Sequence, residues 1–288
     1  MTVVVGHDGS DSGDDAAVLG AQLATSAGED LVIVSVYPEE NPIGAGRVDA
    51  EWVAYMREQA QAHSAEAQRF LAGTEATFRV VGSHSAAHGL DDVAEATRAS
   101  MIVVGSSPRG ARRRVLAGST GERLLHGAAC PVAVAPRGMR ERDGGGRITR
   151  IGVAYVDSPD ARVALQVASG LAKKTDASLT VYTVVAPRAE FSPIAGRASE
   201  ESLMVAVRES VREAVDRALA SLDIEAAEEL LEGDVVDELA SLDERECDLL
   251  VCGSRGYGPM RRVLLGGVSR KLMHRAACPV VVVPRAAG

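Results

Sequence analysis

Near its C-terminal end the chain reads Gly253-Ser254-Arg255-Gly256, then nine residues, then Gly266-Gly267-Val268-Ser269. Asp248 to Gly253 is apolar enough for a buried strand, and a helix can start near Gly266. A strand, a glycine-rich loop and a helix start together make a phosphate-binding element. Glycine lets the backbone approach an anion closely. The helix start offers unpaired N–H groups and the positive end of the helix dipole. Such parts can wrap a triphosphate. The same plan occurs earlier, from Gly105 through Pro108 to Gly118-Ser119-Thr120. Asp8 and Asp157 each follow a short apolar run that reads as a first strand. There an acid can accept hydrogen bonds from a ribose or a base, or can cap the next helix. The glycines, taken singly, can be plain loop formers.

The two loops differ. Pro108 stands where the later loop has Gly256. Proline removes an N–H and fixes φ, and Gly110 can re-route the turn. Gly267 stands where the earlier loop has Ser119, which deletes a hydroxyl donor, on the order of 1 kcal/mol. On this comparison the second copy is expected to be the better site.

Other residues offer less. Ser106, Ser254 and Ser269 have no recognisable base arrangement, which argues against nucleophilic catalysis. No lysine of the P-loop type follows the glycines. His84 and His88 have a spacing that could hold a metal on a helix, but they fall in an expected loop and lack a third ligand, so no metal site is assigned. Arg112-Arg113-Arg114 and Arg261-Arg262 are read as solvated surface. His126 and His274 suit the C-terminal end of a helix dipole.

The elements that would position these groups come in two sets. Gly105 to Arg137 reappears as Gly253 to Arg285 at a constant offset of 148, so the chain is an internal duplication. Each set alternates strands and helices. Strands are expected at Val3–Val5, Leu31–Tyr37, Ala76–Val81, Ser100–Gly105 and Pro131–Ala135. Their second-copy counterparts are Ile151–Asp157, Leu179–Val185, Ile224–Leu231, Asp248–Gly253 and the closing valine run. Alternation of this kind means right-handed crossovers and a parallel sheet with helices on both faces. Ligands then bind beyond the carboxyl ends of the strands, where Asp8, Asp157, Gly105 and Gly253 are expected on one rim. The domains read as 1–137 and 148–288. The charged, glycine-rich stretch 138–147 between them reads as a flexible linker.

Composition removes several classes. With 288 residues, two units of about 140 fit the usual domain size. The formal charge of −9 disfavours a binder of nucleic acid or of an anionic membrane. Three Phe and one Trp leave little for base-stacking platforms. No apolar run is long enough for a membrane span and the first residues do not resemble a signal peptide, so a cytoplasmic protein is expected. Four cysteines without paired zinc-type spacing read as small hydrophobes, with Cys130 and Cys278 at equivalent buried places.

The ordered set of Asp8-Gly9-Ser10, the LVIVSVY strand, the glycine loop and the closing CPV strand, occurring twice, resembles the universal stress protein family in its tandem form. The resemblance covers nearly the whole chain. It implies two Rossmann-like domains of the adenine nucleotide alpha hydrolase type, each a five-stranded parallel sheet. It further implies ATP as ligand, with Mg²⁺ as the usual companion of a triphosphate. In the first copy Asp8 and Val36 would meet the adenosine part, with Gly105, Gly118, Ser119 and Thr120 around ribose and phosphates. In the second copy Asp157 and Val184 would meet adenosine, with Gly253, Gly256, Gly266, Gly267, Val268 and Ser269 around the rest. The implied role is a stress-response sensor or regulator that contacts a protein partner, with slow ATP hydrolysis left open. The last strands would pair domain to domain within the chain as a pseudo-dimer, and a further homodimer stays open. Two competing readings are an interaction module of the same fold without nucleotide, and an adenylating or electron-transfer enzyme of the wider fold group.

Overall fold

A computed structural model describes residues 1–39, 47–142, 146–186, 197–254 and 266–284, with backbone alone over 47–49 and 197–203. The first half runs β1 (Thr2–Gly6), α1 (Asp11–Ala27), β2 (Asp30–Pro38), α2 (Arg47–Phe70), β3 (Thr77–Ser83), α3 (Ala86–Thr97), β4 (Ala99–Gly105), α4 (Ser119–Gly127) and β5 (Val132–Ala135). The second half repeats the order: β6 (Arg150–Ala154), α5 (Pro159–Thr175), β7 (Ser178–Val185), α6 (Arg197–Leu219), β8 (Ala227–Glu232), α7 (Val235–Ser241), β9 (Leu249–Gly253), α8 (Gly267–Leu272) and β10 (Val280–Val283).

Local chemistry sets many of the boundaries. The Ser10 hydroxyl accepts the Gly13 N–H and starts α1, and Gly28 ends it in the left-handed conformation at φ 63°. Ser158 caps α5 in the same way, with Pro159 in the first turn. Helix α3 starts at Ala86 because Ser85 caps it through the His88 N–H. His88 is therefore helical, where a loop was expected. Helix α7 stops at Ser241. Leu242 turns inward to burial, and Asp243 closes a separate turn onto the Arg245 and Cys247 N–H groups.

Strands within each half are parallel, and all the strands form one sheet in the order β3-β2-β1-β4-β5-β10-β9-β6-β7-β8. The junction is antiparallel: Val280 pairs with Val134, Val281 with Ala133 and Val282 with Val132. The expected internal pairing of the closing valine strands is thus present, and it covers two apolar edges that would otherwise be open. Side chains alternate along each strand. Val3, Val5, Ile33 and Val103 enter a core on the α1 and α5 face, together with Ile151, Val153, Val251 and Val281 of the second half. Val4, Val34, Ile102 and Val104 enter the opposite core, with Leu250, Val280 and Val282. Both cores therefore run through the junction without a break.

The stretch expected as a flexible linker departs from that reading over 138–142. Met139–Glu141 forms a 3-10 turn with Met139 buried. The buried Asp15 of α1 accepts the Gly138 N–H at 2.7 Å and the Arg140 N–H at 2.8 Å. Arg140 pairs with Asp11 at 2.7 Å, and the Ile148 N–H donates to Ser26 of α1 at 3.0 Å. Asp15→Ala would orphan two N–H groups bonded to a carboxylate, at a cost of about 3 kcal/mol. A thermal melt of the variant is expected to show a clearly lowered midpoint, and an unchanged melt would mean this clamp contributes nothing.

Candidate functional site

Asp8, Val36, Gly105, Gly118, Ser119 and Thr120 all line one cavity of about 310 Å³ at the carboxyl ends of β1 and β4. Asp8 is not itself the cap of α1, which is Ser10. The Asp8 Oδ1 accepts the Ser10 N–H at 3.2 Å and the Ser10 hydroxyl at 2.5 Å, so it braces the residue that caps α1. It is also exposed at the cavity wall. Gly118 is the N-cap of α4 and no side chain caps that end. The first-turn N–H groups of α4 therefore remain available to an anion.

Pro108 does not open the loop. Ser107 to Gly110 form a turn closed by the Gly110 N–H on the Ser107 carbonyl at 2.9 Å. A Cβ on Gly110 would lie 2.8 Å from the Leu116 Cβ, so glycine is needed there. Beyond the turn the loop crosses to the second domain. The Val115 N–H donates to the Ala276 carbonyl at 2.8 Å, and the Ala117 N–H to Met273 at 2.9 Å. Val115 is fully buried. Arg114 donates to the Ala240 and Arg275 carbonyls at 2.8 and 3.0 Å, and Arg112 pairs with Glu141. These arginines were expected to face solvent only; exposed as they are, they tie the loop down. Arg261 and Arg262 lie outside the described residues.

His7 was missed at the sequence level. It lines the same cavity and is buried, with Nε2 at 3.0 Å from Asp14 Oδ1. Its Nδ1 accepts the Gly9 N–H at 3.3 Å, which assigns the proton of the neutral ring to Nε2. Its place directly before Asp8 at a strand end was the available signal.

In the second half, Val184, Gly253, Gly266, Val268 and Ser269 line a corresponding cavity of about 230 Å³. Gly256 lies outside the described residues. Gly267 is absent from the described wall of this cavity, and a Cβ there would meet open space. Asp157 is likewise absent from that wall, for a reason of register. The His7 N–H donates to Val34, and the Tyr155 N–H to Tyr182, each at 2.9 Å. With Ser10 and Ser158 both N-caps, the offset of 148 makes Val156 the counterpart of Asp8. Asp157 matches Gly9. Its carboxylate accepts from Arg162 Nε at 3.1 Å and Nη2 at 2.6 Å, and the Arg162 hydrogen bond holds its pKa below the usual carboxylate value.

The strand-end glycines have a packing role as well. A Cβ on Gly105 would run into the Ser12 backbone, and one on Gly253 would lie 2.7 Å from the Asp160 carbonyl. Each lets the start of the first helix of its domain sit against the end of the fourth strand.

The remaining candidates show no catalytic arrangement among the described residues. Ser106 is buried, donates to the Ala135 carbonyl at 2.6 Å and accepts the Leu116 N–H. His84 and His88 stack edge to face at 6.2 Å, and no group of three metal-binding side chains occurs among the described residues. Cys278 is buried as expected and Cys130 only partly. Burial pushes the Cys130 and Cys252 thiols up to about 12, which suits packing rather than reactivity. Among the described residues no helix is long and apolar enough to cross a membrane.

Comparison with known proteins agrees with this architecture. The model of the universal stress protein family matches residues 1–136 and again 147–284. A universal stress protein of Mycobacterium tuberculosis strain H37Rv is 30% identical, over 99% of this chain and 100% of that one. A second from the same strain is 27% identical, over 97% and 96%. The crystal structure of a universal stress protein from Archaeoglobus fulgidus superposes with a TM-score of 0.68 at 21% identity, covering 99% and 98% of the two chains. A putative universal stress protein from Pseudomonas aeruginosa gives 0.62 at 17%, covering 99% and 93%. The chain belongs to the universal stress protein family, as a tandem member.

The contrast between two glycines of the first cavity can be tested. Gly105→Ala is expected to lower the melting midpoint markedly, since its methyl meets backbone. Gly118→Ala, whose nearest neighbour would be 3.8 Å away, should leave the midpoint within a few degrees. Equal effects would remove the packing role of Gly105.

Proposed function

We propose that this protein binds an adenine nucleotide, ATP, in the cavity of its first domain and acts as a stress-response sensor or regulator. The observation that carries the reading is the meeting of Asp8, Val36, Gly105, Gly118, Ser119 and Thr120 in one cavity at strand carboxyl ends, where ligands of such sheets bind. Val36 supplies an apolar wall for the base and Asp8 an acceptor for ribose hydroxyls. Ser119, Thr120 and the open end of α4 supply donors for phosphate. A metal such as Mg²⁺ would come with the triphosphate. The reading favours the first domain over the second, because Val156 stands at the second counterpart of Asp8 and Gly267 at that of Ser119.

We further propose that ATP acts as a state signal and that turnover is slow at most. Ser106 is engaged in structural bonds and His7 is buried against Asp14, so neither is poised to activate water. The nucleotide would instead bias the loop that it touches, and a protein partner would read that change.

The test begins with the freshly purified full chain. Denaturation, mass identification of released nucleotide and counting per chain should give about one ATP. Asp8→Ala should weaken ATP about tenfold in equilibrium dialysis, the equivalent of one charge-assisted hydrogen bond. No ATP retained or bound, with Mg²⁺ added, would overturn the reading and favour an interaction module of this fold.

A further inference from the structure

We infer that Arg114 is a positioning residue for the first domain's site: by fastening the loop 106–118 to helices α7 and α8, it makes the second domain part of that site. The inference rests on the ATP reading proposed above and names what controls it. The loop leaves the cavity and returns to it. Ser106, Ser107 and Pro108 line the cavity on the outward arm, and Gly118, Ser119 and Thr120 line it where the return arm enters α4. Between them, the backbone groups of 115–117 point alternately to two sides, as along a strand. On one side the Leu116 N–H donates to the Ser106 hydroxyl at 3.1 Å, and the Leu116 carbonyl accepts the Ser107 N–H at 2.7 Å. On the other side the Val115 and Ala117 N–H groups donate to the Ala276 and Met273 carbonyls of the second domain. One short segment thus has the cavity wall on one edge and the second domain on the other. Ala117 directly precedes Gly118, the N-cap of α4, whose uncapped end is the proposed phosphate donor. A displacement of the second-domain edge therefore reaches the phosphate end across one peptide bond.

Arg114 is the side chain that holds this arrangement shut. Its Nη1 donates to the Ala240 carbonyl at 2.8 Å and to the Arg275 carbonyl at 3.0 Å. Ala240 lies in the last turn of α7, and Arg275 follows the C-cap of α8 at Met273. At helix ends the intrahelical donors run out and the dipole is negative, so a guanidinium is well matched to both acceptors. One nitrogen of the first domain thereby joins two helix ends of the second. Arg114 does not line the cavity, so it has no direct contact to offer a ligand there. Nor does its side chain shape the start of the loop. The Arg113 N–H donates to the Arg137 carbonyl at 2.8 Å, and the Arg137 N–H to the Arg114 carbonyl at 3.2 Å. These backbone bonds stay in place when the side chain is shortened, and the residue is exposed. Truncation is therefore expected to loosen the docking and leave the fold intact.

The experiment compares the native full chain with Arg114→Ala and Arg114→Lys. ATP affinity is measured by equilibrium dialysis with Mg²⁺. Loop docking is measured without nucleotide, by brief trypsin digestion and mass detection of cuts after Arg109, Arg112 or Arg113. The expected result is that Arg114→Ala melts within a few degrees of the native chain, is cut at these sites about tenfold faster and binds ATP about tenfold more weakly. Arg114→Lys, whose ammonium carries donors for both carbonyls, should recover most of both. Native cutting or native affinity in Arg114→Ala would overturn the inference. A melt lowered far below native would make Arg114 a plain structural residue and overturn it too. If the native chain binds no ATP, the nucleotide reading falls and takes the positioning role with it, while the trypsin result still decides whether Arg114 holds the loop.

Discussion

The antiparallel pairing of β5 with β10 is the interaction on which the rest of the molecule depends. Each half is a five-stranded sheet whose last strand is short, valine-rich and apolar on both faces. Left open, such an edge would recruit another chain. Joined, the two edges supply each other's backbone partners, and two cores become continuous from one half to the other. The helices that follow inherit their places from this arrangement. Helices α1 and α5 become neighbours on one face, where Lys174 reaches the nearly buried Glu29 at 2.6 Å. The end of α8 comes close enough to receive the first domain's loop.

Around each strand-end cavity, packing demands fall on the same residues that the proposed ligand would meet. Gly105 is small because a helix start lies against it. Asp8 braces a capping serine and still faces the cavity. A residue of this kind cannot be assigned to one role by its type, because both roles arise from the same geometry. Strand ends and helix starts must meet closely in a parallel sheet, and the meeting leaves a concave rim of backbone N–H groups. The two halves differ in which of these residues they share. The packing glycine remains in both domains, while the carboxylate and the two hydroxyls remain in one.

Much of the fold could be read from the chain because parallel strands buried on both faces are continuous β-branched runs. The weakest strand, β8, forms despite Glu228 and Glu229 because it is an edge strand with polar side chains at its margin. The register of the second acid could also have been read. The constant offset of 148 and the matching serines place Val156 opposite Asp8, while the acid of the second copy stands one residue later. The docking of Val115 and Arg114 onto the second domain was beyond reach. It joins residues far apart in the chain through backbone carbonyls, and carbonyls leave no mark in side-chain types. The same holds for Asp15, whose partners are two N–H groups of a stretch that reads as polar linker.

The seam-crossing loop has a consequence for how such a chain can change by descent. A duplicated domain is usually free to drift once its twin retains the original task. Here the first domain's loop is completed by carbonyls of Met273 and Ala276 in the second. The second copy can therefore change the residues of its own cavity, but it must keep the shape of the segment after α8. Selection on one pocket is in this way exerted on the opposite half of the gene, and the two copies remain bound in ancestry where their surfaces touch while diverging where they do not.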